Sequence, residues 1–222
     1  MSQNFAPKIA ASKRTVENII SVSTKLFLEK GFEKTSLNDI STAMGMSKGA
    51  VFHHFKTKED ILNAVFAKQA EISEQVISGW LKEMEGLSAR EKIITLMERN
   101  FEDTRLRRLD SLVYSIASNP RFIVAAMNDA VYKSGPVLAA LFREGLKDGS
   151  IKTEYPDECA EAFFILLNIW CDPVIFKCNI SRLNRRLKFL QQLMKQMGVG
   201  ILNDKIIKSY ITFIKKIYIK VK

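Results

Sequence analysis

Residues 34–59 read KTSLNDISTAMGMSKGAVFHHFKTKE. Two short helical patterns flank a glycine in this stretch, and a cluster of phosphate-binding side chains follows. Thr35 and Ser36 precede Leu37; either hydroxyl can cap the helix that follows, and Asp39 adds negative charge in its first turn. Leu37, Ile40 and Met44 recur at three- and four-residue spacing and share one face. Gly45 supplies the permissive backbone of a tight turn. Ser47 is a second capping candidate, and Lys48 to His53 make a helix of barely two turns. Val51 and Phe55 are expected to face back onto Ile40 and Phe27 and hold the angle between the helices. Thr57 caps the next helix, with Lys58 at its start. Such a helix-turn-helix, spanning about 35–54, is how a protein lays one helix in a DNA major groove.

The donors in this segment are Thr35, Ser36, Lys48, His53, His54 and Lys58. In DNA complexes such groups mostly bind phosphates, which set register without reading sequence. Base readout falls to the exposed side of the short helix: Ser47, Lys48, Gly49 and Ala50. Lysine can donate to guanine, and alanine can touch a thymine methyl. Gly49 and Ala50 are small enough to let the helix approach base edges closely.

From Arg14 to about Phe66 the sequence resembles the TetR family of bacterial transcriptional regulators. The resemblance is carried by LFLEKGFEKTSLNDIS (26–41), AMGMSKGAVFHHF (43–55) and KTKEDIL (56–62), in order. It implies that Lys48, His53, His54 and Lys58 contact DNA backbone, and that Thr35 and Ser36 form a phosphate-binding helix start. The family usually has tyrosine where this chain has Phe52, so a hydroxyl that would bond a phosphate is missing and Phe52 is expected to keep only the packing role. The resemblance further implies a homodimer on a palindromic double-stranded operator, and a small-molecule effector held inside a helical body.

The 222 residues fit one or two domains, and 47% hydrophobic content indicates a globular chain. No apolar run approaches the roughly 18 residues needed to span a bilayer, and MSQNFAPKIAASKR lacks the continuous apolar core of a secretory signal. A cytoplasmic location is expected, with no membrane partner. The net charge of +10 is unevenly placed: residues 1–60 carry +3, residues 61–180 carry −3 and residues 181–222 carry +10. Basic charge alone therefore points away from the helix-turn-helix. Three cysteines, Cys159, Cys171 and Cys178, read as buried small hydrophobes. If Cys171 and Cys178 share a helix they stand about 10 Å apart, beyond the roughly 7 Å a disulfide tolerates. No Cys/His set has metal spacing, and no cofactor is expected.

Along the chain, residues 1–11 read as a loose arm, in which Lys8, together with Lys13 and Arg14, could reach a minor groove. The first helix is expected over 12–30, with Gly31 as its stop. The fourth runs about 58–79. Further helices follow over 89–105, from Asn119-Pro120 through an interruption at Gly135-Pro136, and from Tyr155 to about Cys178 with a kink at Pro173. The run RLRRLD at 105–110 reads as a solvated basic corner. The last long helix begins near Ser181. No strand-like alternation persists, so the fold class is all-α. The organisation is an N-terminal arm and three-helix DNA-binding domain (1–57), a larger helical ligand-binding and dimerisation domain (58–202), and a basic amphipathic extension (203–222).

Two stripes suit helix-on-helix packing: Phe163, Leu167, Trp170 and Val174, and Leu183, Leu187, Leu190, Met194 and Met197. A helix-turn-helix usually needs two half-sites, which a symmetric dimer supplies. The resemblance puts the four-helix dimer bundle where these stripes lie, so they are the expected interface. Candidate linings of an effector cavity are Met97, Phe101, Tyr114, Phe122, Met127, Phe163 and Trp170, with Tyr132 and Phe142 also available; their chemistry suits an apolar or aromatic ligand. In the tail, Ile207, Tyr210, Ile211, Ile214 and Tyr218 form one stripe with Lys205, Lys208, Lys215 and Lys216 outward. This suits an extra helix docked on its own body, or an amphipathic helix on a membrane or another protein.

The function expected is that of a dimeric DNA-binding transcriptional regulator, a repressor released by its effector. The alternative is a membrane- or protein-binding helical module acting through the basic tail. No Gly-rich phosphate loop or nucleophile elbow points to an enzyme.

Overall fold

A computed structural model describes the backbone of residues 5–221 and the side chains of residues 12–216. Every regular element among them is helical: α1 (Phe5–Lys30), α2 (Leu37–Ala43), α3 (Lys48–His54), α4 (Lys58–Glu83), α5 (Ala89–Glu102), α6 (Asp110–Ile116), α7 (Pro120–Asp129), α8 (Gly135–Asp148), α9 (Pro156–Ile165), α10 (Ile180–Gln196) and α11 (Asp204–Val221). Five-residue π turns, Ala130–Ser134 and Leu166–Trp170, follow α7 and α9. The chain forms two compact units, Met1–Glu74 and Gln75–Lys222. The division falls inside α4, rather than at the expected 57/58 boundary.

The first unit is built on a small apolar core. Ile19 and Phe27 of α1, Phe32, Ile40 of α2, Val51 of α3, and Ile61 and Val65 of α4 are all buried. Phe27 and Phe32 meet edge to face, with ring centroids 5.2 Å apart. The backbone is helical from Phe5, so the expected arm is helical from that point. Pro7 is tolerated there because a first-turn residue needs no N–H partner. The Lys8 side chain lies outside the described residues; Lys13 and Arg14 are exposed.

The second unit centres on one cluster drawn from α5, α8, α9, α10 and α11, including Ile93, Phe142, Phe163, Leu187, Met194 and Ile207. Gly135 marks a close approach: a Cβ there would lie 3.3 Å from Glu161 Cγ on α9. The expected helix to Cys178 ends earlier, at the π turn closing on Trp170, so Pro173 lies in the following loop and kinks nothing. Cys171 and Cys178 therefore flank that loop instead of sharing a helix. All three cysteines are free, and burial pushes the Cys171 thiol up to about 12.

Several expectations for this unit are corrected. Leu183, Leu187, Leu190 and Met194 are buried within their own chain, as are Phe163 and Leu167. Their stripes close the subunit's own core and are not open to a second copy. Trp170, Val174 and Met197 are only partly covered. The outer face of α10 and its preceding loop instead expose Phe176, Ile180 and Phe189. Arg186 organises that surface. Its Nη1 donates to the carbonyls of Trp170 (2.9 Å) and Phe176 (3.2 Å), and its guanidinium stands 5.4 Å from the Trp170 ring and 5.8 Å from the Phe176 ring. Phe189 meets Trp170 edge to face at 5.8 Å.

The tail is part of the core. Ile206, Ile207, Tyr210 and Ile214 of α11 are buried and Ile211 partly so, while Lys205, Lys208, Lys215 and Lys216 face outward; the Tyr218 side chain lies outside the described residues. Lys205 pairs with Glu98, Asp204 with Lys188 at 2.6 Å, and the Tyr210 hydroxyl reaches the Leu167 carbonyl at 3.4 Å. The stripe that could have met a membrane is thus occupied, and no described helix is long and apolar enough to cross one. The RLRRLD corner is not simply solvated either. Arg107 lies 5.0 Å from the Phe213 ring and donates to Asn100 Oδ1 at 2.7 Å, and Asp110 stands 3.6 Å away. Burial pushes the Asp110 carboxyl up to about 6, against the opposing pull of Arg107.

Of the expected effector linings, Phe163 and Phe142 are core residues, Met127 and Tyr132 are exposed, and Met97, Phe101, Tyr114, Phe122 and Trp170 are partly covered.

Candidate nucleic-acid interface

The helix-turn-helix is assembled from local signals. Ser36 caps α2: its Oγ accepts from Asp39 N at 3.1 Å, while the Asp39 carboxylate accepts from Ser36 N at 2.8 Å. The Ser36 hydroxyl, which donates to the Asp39 carboxylate at 2.5 Å, then the Ser36 N–H and Lys30 at 3.2 Å, hold the Asp39 carboxyl down at about 2. Thr35 is not the cap and does not present its hydroxyl to a phosphate. Its side chain is buried, and Oγ1 donates to the Gly31 carbonyl at 2.8 Å. The expected phosphate-binding pair thus reduces to the exposed Ser36. Gly45 turns the chain at φ +63°, where a side chain would be strained.

α3 has seven residues and is about 10 Å long. Ser47 caps it, its Oγ accepting from Ala50 N at 3.2 Å. Val51 is 0% exposed and anchors the inner side of the helix. Ser47, Lys48, Gly49 and His53 are exposed on the outer side, and Ala50, Phe52 and His54 are partly so. A Cβ on Gly49 would meet nothing within 4 Å, so the fold itself does not require glycine there. The Lys48 ammonium stands 5.6 Å from the Phe52 ring, which orients it across the outer face. The His53 and His54 rings are 5.2 Å apart and inclined at 81°, so they present different edges.

After α3, Thr57 and Asp60 form a reciprocal cap at the start of α4, with bonds of 2.8 and 3.0 Å. Lys58 turns inward. Its Nζ donates to the Phe32 carbonyl at 2.8 Å and stands 4.3 Å from the Phe32 ring. It therefore ties the α1–α2 turn to α4, a use that sequence spacing does not reveal. Lys56, not singled out from the sequence, is exposed and donates to the Phe52 carbonyl at 2.9 Å. Its only signal in the sequence is a position two residues past the short helix. Ser36, Ser47, Lys48, Gly49, Ala50, His53 and His54 belong to one capped, glycine-turned pair of helices whose inner side is fully packed. The chemistry available is hydrogen-bond donation and close backbone approach.

The described family that matches residues 19–65 is "Bacterial regulatory proteins, tetR family". The HTH-type transcriptional regulator YwcC of Bacillus subtilis is 33% identical over 122 residues, which cover 54% of this chain and 51% of that protein. The chain spans about half the length of curated relatives of this kind. A transcriptional regulator of the TetR/AcrR family from Thermobifida fusca superposes with a TM-score of 0.52 at 25% identity, covering 86% of this chain and 98% of that one. A protein from Saccharomonospora viridis, solved in complex with choline, has a TM-score of 0.57 at 20% identity, over 82% of this chain and 96% of that one, and shares the fold. The helix-turn-helix lies inside the matched span, so residues 19–65 carry a DNA-binding domain of the tetR type, and an all-helical body follows it.

Proposed function

We propose that the chain binds a palindromic operator in double-stranded DNA as a homodimer and represses transcription until a small-molecule effector releases it, acting in the bacterial cytoplasm. The observation that carries this reading is α3: its inner side is locked by the fully buried Val51, while Ser47, Lys48 and Gly49 stand free on the outer side. A rigid helix with small, donor-bearing outer residues suits a major groove. Ser36, Lys48, His53 and His54 supply backbone contacts, Ser47, Gly49 and Ala50 the approach to base edges, and Phe52 an apolar contact without a hydroxyl.

The second copy meets the outer face of α10, where Phe176, Ile180 and Phe189 surround the Trp170–Arg186 stack. Aromatic residues and arginine are the usual anchors of interface centres. The effector is an apolar or aromatic molecule lodged among Met97, Phe101, Tyr114 and Phe122. It acts by favouring one conformation of the body and moving α4, whose residues belong to both compact units. The choline held by the Saccharomonospora viridis protein supports a ligand-binding body in this fold.

The test is selection of bound fragments from genomic DNA, followed by anisotropy titration at two salt concentrations. A two-fold-symmetric site is expected, with affinity falling steeply with salt and lost in a Lys48→Ala/His54→Ala variant. Binding without sequence preference, unchanged in that variant, would sink the proposal.

A further inference from the structure

A cleft of about 580 Å³ opens where α5 begins, within the second unit. Its volume lies in the range of small-molecule sites. We propose that it binds a small ligand bearing a pyrophosphate or similar polyphosphate group. None of its lining residues is among those proposed above for the effector or for DNA.

The argument starts from charge. Arg90, Lys152 and Lys195 line the cleft, and all three are exposed. Among the described residues none of them pairs with a carboxylate. The nearby acids are occupied. Glu91, the one acid in the lining, accepts from Ser88 N at 2.9 Å and from Ser88 Oγ at 2.6 Å in the cap of α5. Asp148 accepts from Ala89 N at 2.7 Å and from Ser150 N at 2.8 Å. Three cations without a carboxylate partner therefore line one cleft against the single charge of Glu91, which leaves the lining net positive.

The frame is also fixed. Lys152 N donates to the Gly198 carbonyl at 3.0 Å, and Arg90 donates from N to Ser150 Oγ at 3.2 Å and from Nε to the Gly200 carbonyl at 2.9 Å. These bonds join the start of α5, the turn after α8 and the turn before α11. Gly198 admits no side chain: at φ +77°, its Cβ would lie 1.7 Å from the Lys152 carbonyl oxygen. With Nε engaged, the outer nitrogens of the Arg90 guanidinium remain for a phosphate, and the two ammonium groups act as point charges beside it. A pyrophosphate carries about three negative charges near neutral pH, from phosphate groups whose second pKa is about 6. It can engage all three cations at once and fits the volume, with Glu91 the one opposing charge in the lining. A single carboxylate would leave two of the cations unpaired.

Calorimetric titration of the full chain with sodium pyrophosphate and with tripolyphosphate, at fixed ionic strength and without DNA, tests the site. Saturable binding of one ligand per chain is expected. It should weaken at least about tenfold in Lys152→Gln/Lys195→Gln, since two charge-assisted contacts are removed. Lys215→Gln/Lys216→Gln on α11 should bind as the parent does, and circular dichroism confirms that both variants fold. Absence of saturable binding, equal weakening in both variants, or citrate binding as tightly as pyrophosphate would each overturn the proposal. Because no DNA is present, failure here leaves the operator reading untouched.

Discussion

Lys58 and Phe32, 26 residues apart in the chain, are joined twice: the ammonium donates to the Phe32 carbonyl at 2.8 Å and stands 4.3 Å from its ring. These two contacts make the lysine part of the fold of the first unit, whatever it does on DNA. Lys58→Gln is expected to lower stability by about 1–2 kcal/mol, from a charge-assisted bond and a cation–π contact at a partly exposed site. Urea unfolding measures it; an unchanged midpoint alongside weakened DNA binding would assign Lys58 to the interface alone.

Gly49 separates fold from recognition. Its Cβ direction is open, so Gly49→Ala should keep the fold and gain about 0.5–1 kcal/mol from helix propensity. On operator DNA the added methyl would occupy the space of close approach, and affinity is expected to fall about tenfold or more, a loss of roughly 1.4 kcal/mol or greater. Anisotropy titration decides; undiminished affinity would remove Gly49 from the DNA-facing surface.

Leu187 and Phe189 lie two residues apart on α10 and face opposite ways. Leu187 is fully buried, whereas Phe189 is 57% exposed. Leu187→Ala should cost about 2–5 kcal/mol of stability through the cavity it leaves. Phe189→Glu should leave stability within about 0.5 kcal/mol, as exposed substitutions usually do, and convert the proposed dimer to monomer. Denaturation combined with light scattering separates the two effects. A stable monomer from the Leu187 variant would return the interface to the buried stripe.

Asp110 gives a pH signature. Its carboxyl is pushed up to about 6 by burial, above the ordinary value of 3.8. The folded chain then holds a proton that the unfolded chain has released, so this group's stabilising contribution is greatest below the ordinary value and is lost as pH rises through about 6. Asp110→Asn should flatten the stability profile between about pH 4 and 6. Parallel profiles for parent and variant across that window would show that Asp110 does not titrate there.

The features legible in the sequence are those determined within a few residues. Ser36 with Asp39, Ser47 with Ala50, and Thr57 with Asp60 are contacts at a separation of three; residue type marked Ser47 and Thr57 as caps, and Ser36 together with Thr35. Gly45 needed only its own backbone freedom. Apolar periodicity likewise indicated that α10 and α11 each bury one face. The helical class and the helix-turn-helix follow from these signals.

Only the tertiary structure decided what each face is buried against. The stripe from Leu183 to Met194 could have met a second subunit, and the stripe from Ile207 to Ile214 a membrane; both close the chain's own core. Thr35 and Lys58 carried a family expectation of phosphate contact, yet folding gives them carbonyl partners at Gly31 and Phe32. The physical reason is that the hydrophobic effect has no direction. Periodicity states that a face leaves water; its partner depends on contacts between residues far apart in the chain, which only the assembled fold brings together.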